Sequence, residues 1–468
     1  MKPITKFRNQ IIQIFGADFV LTDPNDISPY LHEERGLKRS NADIVVRPRS
    51  SKDLAILVKL CSKNKIPIVP VGGLTGLVGG AVATGGVIAA TDRMSKILSI
   101  DQVNKTMTVE AGCILANIQK EAIKHDCFFP LSLGAEGSCR IGGNLATNAG
   151  GVGVLRYGNT RDLVLGLEVI MPNGDIWDGL TALRKDNTGY DLKNLLIGSE
   201  GTLGIITKAV LKLFPLPKTT VTAFIGLNQL NKVLELYEGV QKRFHESLSA
   251  FELISRIGLD MELQHLSGIN DPFLQNYPYY TLVELTTSFE DPDLRTGLES
   301  LLESFLENQI IMNAVFAENT QQKSSLWRIR EELPAAQSRE GGSIKHDVSV
   351  PVSKTVDFIT EASKRVKIIL PGIRPCPFGH IGDGNIHYNL TQPITISKNE
   401  FMSYSSEINR VVHDLVAEMD GSISAEHGIG YLKKSELNHY ASPVKIRIMR
   451  SIKAALDPDN IMNPGKIF

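Results

Sequence analysis

Two histidines, His380 and His387, stand seven residues apart in Phe378-Gly379-His380-Ile381-Gly382-Asp383-Gly384-Asn385-Ile386-His387-Tyr388-Asn389, with a glycine turn between them. That spacing lets two imidazoles meet across a hairpin. Imidazoles joined by a carboxylate make a site for a borderline divalent metal. The carboxylate candidate is Glu426, in Ser424-Ala425-Glu426-His427-Gly428. Hydrogen-bonded core histidines are the alternative. Arg330, in Trp327-Arg328-Ile329-Arg330-Glu331, and Lys345, in Ile344-Lys345-His346-Asp347, are candidates for holding a carboxylate. Arginine would do so as a bidentate fork and lysine as a point charge. Charges at the end of a helix or strand are the alternative for both.

The second chemical signal is glycine. It gathers in Pro70-Val71-Gly72-Gly73-Leu74-Thr75-Gly76-Leu77-Val78-Gly79-Gly80, in Gly134-Ala135-Glu136-Gly137-Ser138, in Ile141-Gly142-Gly143-Asn144 with Thr147-Asn148-Ala149-Gly150-Gly151, and in Gly198-Ser199-Glu200-Gly201-Thr202-Leu203-Gly204. Glycine lets backbone N–H groups turn toward an anion and approach it closely, and a diphosphate is the usual reason to collect so many. Any one cluster alone reads as a tight turn. No G-x-x-x-x-G-K-[ST] is present, so there is no P-loop lysine. The G-x-G pairs at Gly151, Gly382 and Gly428 lack a glycine three residues on, which excludes the Rossmann fingerprint.

The ordered glycine clusters, with Ile197–Gly204, resemble the FAD domain of vanillyl-alcohol-oxidase-like flavoproteins. Arg184-Lys185-Asp186-Asn187-Thr188-Gly189-Tyr190-Asp191-Leu192 and the C-terminal motifs resemble D-2-hydroxyglutarate dehydrogenases, with D-lactate dehydrogenases and the FAD subunit of glycolate oxidase as near relatives. The similarity covers nearly the whole chain. It implies an α+β protein: a two-subdomain FAD-binding domain over residues 1–217, a cap or substrate domain with an antiparallel sheet over 218–400, and a helical segment, 401–468, returning to the FAD domain. FAD would contact Pro70, Gly72, Gly73, Thr75, Gly76, Leu77, Gly79 and Gly80 on the diphosphate loop. Leu133, Gly134, Ala135 and Ser138 would follow, then Gly142, Gly143, Asn144, Thr147, Asn148, Gly150 and Gly151. Glu200, Gly201, Gly204, Ile205, Ile206 and Asn463 would complete the set. Leu74 departs from the pattern, since relatives often carry Asn there. No histidine lies between His32 and His125, which favours a dissociable FAD, with Cys113 and Cys139 left as attachment candidates.

The resemblance also implies that His380, His387 and Glu426 bind a divalent metal, usually zinc, and that His427 is the catalytic base. Arg330, Lys345 and Asn389 would bind substrate. A bound cation stabilises a developing alkoxide, and histidine suits proton removal near pH 7. The implied reaction is oxidation of a D-2-hydroxy acid to the 2-oxo acid. Pro334 stands where some D-2-hydroxyglutarate dehydrogenases have a substrate-binding Thr, and it offers no hydroxyl. A D-lactate or glycolate dehydrogenase is the nearest alternative, and an electron-transfer flavoprotein without substrate chemistry is a third. The expected electron acceptor is an electron-transfer flavoprotein or a quinone.

The elements that must position these residues alternate in the first region: a strand at Val45–Arg49, a helix with apolar residues at Leu54, Leu57, Val58 and Cys61, a strand at Pro67–Pro70 leading into the glycines, a strand at Met107–Ala111 and a helix at Ile114–His125. Phe214-Pro215-Leu216-Pro217-Lys218 reads as a linker. Beyond it, strands at Val221–Gly226, Ser249–Leu253 and Tyr280–Thr286 alternate with helices at Leu230–Phe244, Pro292–Leu306 and Gln321–Glu340. This pattern predicts an antiparallel sheet covered on one face. A helix at Phe401–Met419 and a last one ending near Asp457-Pro458 complete the chain. The 468 residues imply two or three domains. A net charge of −1 gives no basis for a nucleic-acid surface or a polybasic membrane patch. No apolar run approaches ~18 residues, so no membrane span is expected. The N-terminus has no secretory signal pattern. Five scattered cysteines fit reduced thiols in the cytoplasm.

Overall fold

The computed structural model describes residues 3–468 and divides into two compact units. Of the described residues, the first comprises 3–151, 158–216 and 426–468, and the second 152–157 and 217–425. After a short excursion at 152–157, the chain passes to the second unit after Leu216, inside the proline-rich linker. The return differs from expectation. It begins at Glu426 rather than at residue 401, since the helix Ser405–Glu418 buries Ile408, Val412, Leu415 and Val416 and packs against Thr355–Ile369 within the second unit.

The first unit holds a four-stranded sheet in the order Val20–Leu21, Ile44–Val46, Val87–Ala90, Ile68–Val71, in which the last three strands are parallel. Parallel strands need a crossover, which the helix Ser51–Asn64 supplies with Leu54, Leu57, Val58 and Cys61 fully buried. Its cap is Ser50, whose hydroxyl accepts from the Asp53 N–H at 3.2 Å. A separate five-stranded antiparallel sheet runs Ile97–Asp101, Thr106–Glu110, Ile205–Lys212, Val164–Ile170, Ile176–Gly179. Two sheets in one unit make the two-subdomain arrangement.

The second unit is built on an eight-stranded, wholly antiparallel sheet. It is covered on both faces, not on one. The central strand Leu248–Ser255 is buried at every position. On one face Phe251 meets Tyr237 of the helix Lys232–Phe244 edge-on at 5.1 Å. On the other, Ile254, Tyr280 and Phe378 share a core with Leu259, Trp327 and Leu333 of three further helices. The helix expected over Gln321–Glu340 is two helices, Thr320–Glu331 and Leu333–Glu340. Pro334 sits in the first turn of the second, where its missing N–H costs nothing and it disfavours continuation from before. Phe401–Met419 is likewise two helices, Lys398–Ser403 and Ser405–Glu418.

Candidate active site

In the first unit the four glycine clusters meet. The strand Ile68–Val71 delivers the loop from Gly72 to Gly80, which lies outside every helix and strand, so its N–H groups are not committed to a ladder. Gly73 is pressed against the next cluster: a Cβ there would lie 2.5 Å from the Ser138 carbonyl oxygen. Pro70 meets Gly201 in the same way, with Pro70 Cγ 2.5 Å from where a Cβ of Gly201 would stand. Asn463 arrives from the far end of the chain, paired beside Ile68, and its Nδ2 donates to the carbonyls of Gly80 at 3.0 Å and Glu200 at 2.6 Å.

Around this junction Gly76, Gly134, Gly137 and Gly143 face open space. Asn144 and Asn463 are buried, each with an Oδ1 that accepts no hydrogen bond among the described residues. An open, glycine-lined concavity with unpaired amide oxygens fits a large polar cofactor. Leu133, Ala135 and Ser138 lie in the neighbouring turn, Gly142 in the helix Ile141–Thr147, Gly204 next to the strand Ile205–Lys212 that carries Ile205 and Ile206.

Several expected contacts are engaged within the protein. Thr147 Oγ1 donates to the Gly143 carbonyl at 3.1 Å, and Asn148 Oδ1 accepts from the Arg161 N–H at 2.8 Å. The Glu200 carboxylate accepts from the N–H groups of Ile429 and Gly430, both at 2.7 Å. It thereby anchors the loop just after His427. Burial raises the Glu200 pKa against the pull of those donors. Gly150 leaves room for Glu426, whose Oε1 would be 2.3 Å from a Cβ at that position. Burial pushes the Cys113 thiol up to about 11, and raises that of Cys139.

The second unit assembles a polar row on one face of its sheet. His387 lies opposite Phe378, and Asn389 opposite Cys376, in the hairpin of Arg374–Gly379 with Asn385–Thr391. His380 follows directly, its ring 5.5 Å from that of His387 and inclined by 72°. Arg330, on the helix Thr320–Glu331, is buried with its guanidinium 5.2 Å over the Phe378 ring. Between Arg330 and His380 stands Glu252, which no sequence motif marks. Its Oε2 accepts from Arg330 Nε at 2.6 Å and its Oε1 from His380 Nδ1 at 2.8 Å. Burial alone would raise this carboxyl, but the opposing charges and hydrogen bonds of His380 and Arg330 outweigh it and hold it well below the usual range.

Lys345 is half-buried between two short ladders that share one register, Ile344 opposite Leu390 and Asp347 opposite His387, which carries Lys345 abreast of Asn389. Asn389 Nδ2 donates to Gln337 Oε1 at 2.7 Å. Gln337 is a second residue that sequence reasoning missed, although it lies one helical turn beyond Pro334. Pro334 itself is exposed. The chain leading to Glu426 is fixed from the same sheet: Ser422 pairs with Ser349, and the Ala425 N–H donates to the Asp347 carbonyl at 3.3 Å. The residue before Glu426 is therefore held beside the strand partner of His387.

These elements match known families in order. Residues 42–179 match the FAD binding domain, and residues 216–467 match the C-terminal domain of FAD linked oxidases. A probable D-2-hydroxyglutarate dehydrogenase, mitochondrial, of Oryza sativa subsp. indica is 38% identical over 458 residues, covering 97% of this chain and 80% of that one. A D-2-hydroxyglutarate dehydrogenase of Xanthomonas citri pv. viticola is 35% identical over 448 residues, covering 96% and 93%. Among solved structures, substrate-bound p-cresol methylhydroxylase superposes with a TM-score of 0.80 over 99% of this chain and 96% of its own, at 17% identity, which speaks for the fold alone. The chain is an FAD-binding oxidoreductase and belongs to the D-2-hydroxyglutarate and D-lactate dehydrogenase-like family of FAD-linked oxidases.

Proposed function

We propose that this enzyme oxidises a D-2-hydroxy acid, with D-2-hydroxyglutarate the leading candidate, to the corresponding 2-oxo acid, assisted by a divalent cation. The observation that carries the reading is the row of buried His380, half-buried His387 and buried Asn389 on one sheet face, with buried Arg330 laid against it from a helix. A fold alone needs no such gathering of polar groups, each expensive to bury. His380, His387 and Glu426 would hold the cation, and the donor set of two imidazoles and one carboxylate suits zinc. Bound FAD would supply a hydride acceptor at N5, and the bound cation Lewis acidity at the substrate hydroxyl.

The chain's own residues do the rest. Arg330 and Lys345 bind carboxylate, and Asn389, its amide already oriented by Gln337, fixes the substrate by a hydrogen bond. His427 takes the hydroxyl proton. Buried thiols at Cys113 and Cys139, both shifted toward the protonated form, support a non-covalent FAD. The five cysteines, all buried and unpaired in disulfides, support the cytoplasm or another reducing compartment. An electron-transfer flavoprotein or a quinone is the proposed acceptor.

A D-lactate or glycolate dehydrogenase is the second reading, favoured by Pro334, which provides no hydroxyl for a distal carboxylate. Anaerobic mixing with D- and L-2-hydroxy acids decides. Bleaching of the flavin by D-2-hydroxyglutarate, far faster than by D-lactate, glycolate or any L-acid, is expected. Bleaching by D-lactate or glycolate alone selects the second reading. No bleaching by glycolate or by any D-2-hydroxy acid refutes both.

A further inference from the structure

We infer that Glu252 is a positioning residue of the active site, aiming the His380 imidazole and the Arg330 guanidinium at once. It rests on the proposed roles of His380 as cation ligand and Arg330 as carboxylate clamp. Glu252 lies mid-strand in Leu248–Ser255, with 1% of its side chain exposed. An apolar residue would fit that position at no electrostatic cost, whereas a buried carboxylate loses several kcal/mol of hydration. The two partners that offset the loss are 78 and 128 residues away in sequence. Both are residues of the candidate site.

The geometry defines what the carboxylate does. Glu252 Oε1 can only accept, so in the neutral ring that a cation ligand must be, the proton of His380 lies on Nδ1. Arg330 can only donate, and its Nη2 lies 3.4 Å from His380 Nε2, which is therefore the atom with the lone pair. Two independent neighbours demand the same tautomer. It is the tautomer that presents Nε2 as a ligand atom, with the other nitrogen held by a carboxylate; a cation taking that one lone pair displaces the long Arg330 contact. On its second oxygen Glu252 takes Arg330 Nε, which sets the plane of the guanidinium over Phe378.

Glu252→Gln and Glu252→Asp test this in the FAD-loaded full chain. Zinc affinity is read by competition with a chromophoric chelator, and KM and kcat by flavin reduction with D-2-hydroxyglutarate, with FAD content and thermal midpoint as controls. Glu252→Gln presents an amide with one acceptor oxygen, so it cannot serve both partners. We expect full FAD content, zinc bound ~10–100-fold more weakly, and a KM raised about tenfold with a smaller change in kcat. Glu252→Asp should recover part of both effects. A buried ion pair that serves only the fold would lower the thermal midpoint and leave zinc affinity and KM at parent values, which overturns the inference. Loss of the fold in both variants overturns it too, in favour of that purely structural pair. If the parent binds no zinc, the cation reading falls while Glu252 is still decided by KM: a parent KM in a folded variant refutes it.

Discussion

Glu262→Gln should make the protein more stable, and increasingly so as pH rises. Glu262 lies on the helix Arg256–His265, fully buried, and neither carboxyl oxygen has a hydrogen-bond partner among the described residues. Burial first, and then the neighbouring Glu332, raise its pKa to about 9. In the unfolded chain the same group titrates near ~4.3. Below that value both states hold the proton and the group contributes no slope. Between there and about 9 the folded protein keeps a proton that the unfolded chain has released, so stability falls as pH rises, by about 1.4 kcal/mol per unit. At pH 7 the accumulated loss is about 3.7 kcal/mol. In a unit of roughly 200 residues that corresponds to a thermal midpoint lower by ~7–15 °C. Gln keeps the size and neutrality of the protonated acid but does not titrate. Midpoints of parent and variant, measured by scanning fluorimetry from pH 5 to 8.5, should converge at the acid end and diverge toward the alkaline end. Other titrating groups are common to both proteins and drop out of the difference. Parallel profiles would show that Glu262 is ionised in the folded protein and refute the reasoning.

Leu74 is held at φ +60°, a left-handed conformation that Asn tolerates and Leu does not. Leu74→Asn should therefore leave the thermal midpoint within ~2 °C despite removing a half-buried side chain, because relief of roughly 1–2 kcal/mol of strain offsets the lost packing; a fall of ~10 °C would contradict it. Gly150→Ala, which sets a methyl against Glu426 Oε1, should retain FAD by absorbance and slow anaerobic flavin reduction on the order of 10²-fold in stopped flow; a parent rate would mean that Glu426 has no part in the reaction. His427→Ala should keep both FAD and metal and lose roughly 10²–10⁴-fold in the same assay, the scale of a positioned proton acceptor. A metal-free variant, or one reducing its flavin at the parent rate, would remove His427 from that role.

The candidate site was legible where its chemistry is carried by short contiguous motifs. His380 and His387 are read from a single hairpin, and the glycine clusters from composition alone. Glu252, Gln337 and Glu262 were not legible. Each is one polar letter in an otherwise ordinary segment: Glu252 and Gln337 take their meaning from Arg330, His380 and Asn389, which only tertiary pairing brings near, and Glu262 from burial without a partner. The same limit applies to the fold. Strand positions from Val221 to Thr286 are close to those observed, but the alternation of strands and helices predicted cover on one face only, because it does not show to which face each helix returns. Residues 401–425 were expected to return to the FAD domain with the rest of 401–468. Their real attachment, with His413 edge-on to His346 at 5.6 Å, depends on a contact across the sheet that no periodicity announces.

The bond from Asn463 to Gly80 spans 383 residues, and the second unit is threaded into that interval. Domains commonly fold as they emerge from the ribosome, the earlier part first. Here the earlier part cannot finish. The strand Ile68–Val71 and its glycine loop are synthesised long before residues 461–463, which supply both the edge pairing to Ile68 and the amide that ties Gly80 to Glu200. Until then the nascent loop has its strand but not its clasp, and loop closure over so long an intervening chain is entropically slow. Completion of the glycine loop thus waits for residues 461–463, however early its own strand is made.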